Sequence, residues 1–169
     1  MQQSGTPAPA ARYSVLGKLF HWGFVAIFAN GIYKQVDNIS QLPDGTILRF
    51  EMIFAALFLI LLGAPFFYMS RMQSSALPEN THALQKLGAK VLHYGMYVSV
   101  GLIAASGLII GALYTHFGPE GLLISFALFF HETSVTASYW LIGLHIAAAL
   151  YHRFLCDGVW SAMVPIWRE

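Results

Sequence analysis

The chain has 169 residues, of which 57% are hydrophobic and only 10% charged, less than half the roughly 25% usual in soluble domains. A chain this short cannot bury so much apolar surface in one water-facing core, because small domains keep a high surface-to-volume ratio, and the surplus calls for an apolar solvent. A net charge of +1 offers no bulk attraction to nucleic acid, and the lone cysteine, Cys156, excludes a disulfide framework and a cysteine metal cluster.

Residues 1–11 are rich in Gln, Ser, Pro and Ala and read as a disordered tail. No basic segment leads into a short apolar run with a small-residue cleavage site, so no signal peptide is expected. A bilayer core needs about 20 mostly apolar residues per helix, and four stretches approach that length. The first runs from about Val15 to Tyr33 and is interrupted by Lys18; Trp22 and Tyr33 suit its interfaces. A turn-rich polar link with Asp37, Pro43, Asp44 and Gly45 follows. The second stretch runs from about Ile47 to Tyr68, with Arg49 and Glu51 at its entry. After a link holding Arg71, Pro78 and Asn80, the third runs from about Leu84 to Tyr114. The next link, about Thr115 to Ala127, is mixed: its apolar part, Gly121 to Phe130, either lies in the interface or begins the fourth helix early. The fourth stretch runs from about Phe129 to Leu155, and residues 157–169 form a short tail.

These elements predict an all-α protein, a four-helix transmembrane bundle over residues 12–156. With a cytoplasmic N-terminus, the inner side carries Arg12, Lys18, Arg71, Lys86, Lys90, Arg153 and Arg168, and the outer side only Lys34 and Arg49. The positive-inside rule then places both termini in the cytoplasm.

Ionisable residues inside a membrane are costly and usually have a partner or a task. His21 lies in the first helix, His93 in the third, and His131, His145 and His152 along the fourth. One such histidine is most simply a packed residue bonded to a carbonyl; five in one bundle favour ligation. His131 and His145 are fourteen residues apart, roughly 21 Å along a helix and within roughly 40° of the same face. They therefore face one side at opposite depths, which suits two stacked cofactors. His21 and His145 share the inner depth, and a haem iron between them would receive one imidazole from each side. Bis-histidine ligation fills both axial positions and favours electron transfer. Zinc competes less well, since it takes four ligands and no cysteines or carboxylates surround these histidines. His131 marks an outer site. Its partner would come from the second helix, which contains no histidine, and Met52 is the nearest substitute; packing is the competing role for Met52.

The ordered set Arg12-Tyr13-Ser14, His21-Trp22, Leu92-His93, His131-Glu132-Thr133 and Gly143-Leu144-His145-Ile146-Ala147-Ala148-Ala149-Leu150, followed by His152, resembles the bacterial cytochrome b561 family across nearly the whole chain. The resemblance implies a multi-pass protein of the inner (plasma) membrane carrying two b haems, the inner held by His21 and His145. The outer would be held by His131 and a histidine of the second helix. At that last position this chain departs from the family, with Ile53 beside Met52. It further implies that His93 and His152 lie in a region associated with quinone, and that some relatives are superoxide oxidases, passing electrons from superoxide to ubiquinone. Arg153, Lys86 and Lys90 could neutralise haem propionates or merely snorkel, and Glu132 could orient its neighbour or stay solvated. The missing histidine also supports an alternative, a non-catalytic or single-haem subunit of a larger redox complex. A transporter has little support without inverted repeats or matching broken helices.

Overall fold

The computed structural model describes residues 13–34, 44–72 and 75–168. The proposed N-terminal tail and most of the first polar link lie outside them. Four long helices carry the chain: α1, Val15–Lys34; α2, Gly45–Met72; α3, Ala83–Phe117; and α4, Leu122–Leu155. All four are long and apolar enough to cross a membrane. At 35 and 34 residues, α3 and α4 are about 50 Å long and outreach a hydrocarbon core of about 30 Å. A fifth helix, α5, Val159–Met163, follows α4 after a tight turn.

The helix starts follow from local chemistry. The Ser14 hydroxyl accepts from the Gly17 N–H at 3.0 Å, and the Asp44 carboxylate accepts from Thr46 at 2.8 Å, each satisfying an otherwise orphaned first-turn donor. His82 caps α3, its Nδ1 accepting from Leu84 at 3.3 Å. The fourth helix starts at Leu122, seven residues before the start expected at about Phe129, with Gly121 as its N-cap, so Leu122 to Phe130 belongs to the helix. An apolar run in lipid has no water for its backbone, and continuing the helix is the cheapest way to satisfy those groups.

The helices pack in chain order, α1 on α2, α2 on α3, and most extensively α3 on α4. Phe58, Leu62, Val100 and Ala104 form the buried centre, flanked by Phe24, Phe28, Phe54 and Tyr97. This centre lies among α1, α2 and α3. By contrast α1 and α4 bury the smallest shares of their apolar spans, so the seam between them is the loosest in the bundle. The small residues of α3, among them the buried Ser99, Ala104, Ser106 and Gly111, let its neighbours come close. Buried Ser134 and Ser138 on α4 donate to their own helix, to Phe130 and Val135 at 2.7 Å. No buried side-chain polar atom among the described residues lacks a partner.

At one end, Ser14 shares a hydrogen bond with the Tyr68 hydroxyl at 2.9 Å. Tyr13 is half-buried there and bonds the Ala76 backbone; burial raises its phenol above the ordinary value, and that bond opposes the rise. Tyr13 and Ser14 thus join the start of α1 to the end of α2 and its following link. This end of the bundle, which also carries α5, is termed the inner end.

Candidate functional site

Three helices bring imidazoles together toward the inner end. His21 of α1 and His145 of α4 face each other across the loose seam, with ring centroids 6.2 Å apart and planes inclined at 56°. His93 of α3 approaches His145 edge-on, at 5.0 Å and 82°. Its Nδ1 lies 2.6 Å from the Ala89 carbonyl. A carbonyl only accepts, so Nδ1 carries the proton and Nε2 keeps the lone pair.

Closer to the end of α4, His152 pairs through Nδ1 with Asp157 Oδ2 at 2.6 Å. The other oxygen of that carboxylate accepts the Val159 N–H at 3.2 Å. Asp157 is therefore held between the last turn of α4 and the first of α5. At the other end of α5, Trp22 donates from Nε1 to the Met163 carbonyl at 3.2 Å. Helix α5 thus spans the seam, tied to α4 through His152 and to α1 through the neighbour of His21. Lys86 donates to the Glu79 carbonyl at 2.6 Å, so its ammonium is engaged by the α2–α3 link.

The outer half is built differently. His131, nine residues into α4, lies against α3: its Cε1 is 3.7 Å from where a Cβ on Gly107 would stand. Its Nδ1 is 2.9 Å from the hydroxyl of buried Ser106. Glu132 is exposed, and Ser106 takes the place at Nδ1 for which Glu132 is a candidate in the sequence. Met52 reaches the same stripe of α3 from the other side. A Cβ on Gly111 would stand 2.8 Å from its Cγ and 3.0 Å from its Sδ. Gly107 and Gly111 are one turn apart, so Met52 and His131 approach neighbouring turns of α3 from α2 and α4.

A family model described as prokaryotic cytochrome b561 matches residues 12–165. The chain belongs to this family. No curated protein and no solved structure matches it. Membership makes it a membrane b-type cytochrome of electron transfer, and b haem is the cofactor that the family implies.

The residues of this cytochrome fit that group. Haem needs one or two axial donors from the protein, the macrocycle supplying the rest. Two imidazoles bound to one metal from opposite sides, at about 2 Å each, have ring centres roughly 6 Å apart, close to the 6.2 Å between His21 and His145. Among the described residues no group of three or more His, Cys, Asp or Glu side chains is arranged to hold a metal ion, so the four donors that zinc requires are not assembled.

Three contributors are not evident from the sequence. Ser106 is one of many small residues in α3, and only its contact with His131 distinguishes it. Asp157 lies in a segment that reads as tail. Trp22 reads as an interfacial anchor, whereas its indole N–H holds α5. The acidic residue five positions after His152, on the far side of a helix end, is the one legible signal.

Proposed function

We propose that this cytochrome is a quinone-linked oxidoreductase of the superoxide oxidase type, set in the plasma membrane with both termini cytoplasmic. It takes electrons at the outer face, from superoxide, and delivers them to a quinone near the inner face. The opposed His21 and His145 imidazoles carry this reading, supported by the family match and by the excess of basic residues at the inner end. His21 and His145 would hold the inner haem. His131 would hold an outer haem, with Met52 as the facing donor in place of the family's histidine. A b haem with two protein ligands supplies one-electron transfer in preference to oxygen binding.

The remaining residues handle the quinone and its protons. Reducing a quinone takes two electrons and two protons, whereas each superoxide releases one electron to become dioxygen. His93 and His152 each have Nδ1 engaged, by the Ala89 carbonyl and by Asp157, which leaves Nε2 to meet a quinone oxygen. A protonated imidazole can donate there and be recharged from the cytoplasm. Asp157 fixes the orientation of the His152 ring through its Nδ1 bond.

The test is a reduced-minus-oxidised spectrum of the detergent-purified protein with a pyridine haemochrome count. Two b haems per chain are expected, and a haem-free chain sinks the reading. The absence of a histidine from α2 and the close packing of Met52 on Gly111 favour a second reading, a single-haem membrane subunit of a larger redox complex. One haem per chain, with stable copurification of partner subunits, would select it.

A further inference from the structure

The hydrogen-bond pattern around Ser106 determines which nitrogen of His131 can act as a donor to metal. The Ser106 hydroxyl has one proton and three oxygen or nitrogen neighbours. Its oxygen is 2.5 Å from the Leu102 carbonyl and 3.1 Å from that of Ile103, and the His131 Nδ1 is 2.9 Å away. Two oxygens 2.5 Å apart with no proton between them would repel, so the proton goes to Leu102. The hydroxyl then has only lone pairs to offer His131, and Nδ1 must be the donor.

The surroundings keep the ring there. Ser106 is buried, at 8% exposure, which shields its lone pairs from solvent. The ring lies beside Gly107, with its Cε1 3.7 Å from where a Cβ on that residue would stand. We infer that Ser106 is the positioning residue of His131: it binds the Nδ1 proton and leaves Nε2 as the ring's only lone pair for iron. A metal-bound imidazole commonly donates its other N–H to a neighbour that fixes the tautomer and raises its basicity. Here a serine does so, and it is held by its own helix.

The inference rests on the proposed outer haem for its functional meaning, but its chemistry can be tested without that haem. The test uses the full-length protein carrying ¹⁵N-histidine, reduced so that any low-spin iron is diamagnetic, with His131→Gln identifying the signal. Nδ1 is expected to be the protonated, hydrogen-bonded nitrogen. Ser106→Ala should shift that signal toward a weaker hydrogen bond, or split it between tautomers if the site lacks haem, and Ser106→Thr should restore it. A proton on Nε2 in the unaltered protein, or a signal indifferent to Ser106→Ala, overturns the inference. Haem titration reads the consequence: Ser106→Ala should weaken outer haem binding roughly 10- to 100-fold and raise its midpoint potential, as a less basic ligand stabilises ferric iron less. A haem count of one, unchanged by His131→Gln, would instead remove the outer haem, and the nitrogen signals would still decide the role of Ser106.

Discussion

The two halves of the bundle use the same helix in different ways. Toward the inner end, His145 of α4 meets imidazoles from two other helices, His21 and His93, and α5 bridges the seam beside them. In the outer half, His131 lies against the backbone of α3, held by a serine, and the facing helix offers a thioether already packed on Gly111. The fourteen-residue repeat therefore places two equivalent histidines without giving them equivalent surroundings. A site depends on what opposite helices supply at that depth, and α2 supplies no second imidazole.

The largest test of this asymmetry is His145→Ala. It should remove the inner haem and its share of the absorbance, because the inner pair loses one of its two donors, whereas His131→Ala should spare the inner signal. A purified His145→Ala variant with its full spectrum would show that the ligands are misassigned. Next in size is His152→Ala, expected to slow quinone reduction roughly 100-fold, the scale of a lost proton donor, with haem content unchanged. Stopped-flow oxidation of the pre-reduced protein by a soluble quinone analogue checks it, and equal rates would place proton delivery elsewhere.

Met52→His sharpens the comparison from the outer side. Giving α2 an imidazole should tighten outer haem binding and lower its midpoint potential, since methionine ligation raises the potential. A potentiometric titration identical to that of the unaltered protein would take Met52 out of the site. The smallest expected effect belongs to Trp22→Phe. It removes the indole N–H that reaches the Met163 carbonyl, a bond worth about 1 kcal/mol. It should lower the thermal midpoint slightly and speed haem loss from the inner site alone. Equal loss from both sites would show that α5 has no special hold on the seam.

Much of the fold was legible because bilayer physics reads sequence directly. A span needs a certain length of apolar residues and must satisfy its own backbone, so four helices, their order and approximate limits follow from composition along the chain. The shared face of His131 and His145 followed from helical periodicity alone. The family signature across Arg12 to His152 was legible for the same reason, as its residues sit at fixed helical positions. Other features were not legible. Nothing in the apolar segment after Gly121 distinguishes interface from helix, and the start of α4 at Leu122 was settled only in three dimensions. Helix α5 is too short to announce itself, since five residues cannot form a stable helix without contacts from elsewhere.

Hydropathy, segment length and periodic histidines are properties of the chain alone, and they suffice to place this protein in a bilayer as a four-helix cytochrome. The tertiary structure decided the partners: that His93 joins the His21–His145 pair, that Asp157 holds His152, that Trp22 binds α5, and that Ser106 meets His131. A hydrogen bond depends on two groups meeting within about 3 Å at the right angle. Between separate helices, that meeting is set by their relative depth and rotation, which no local pattern encodes.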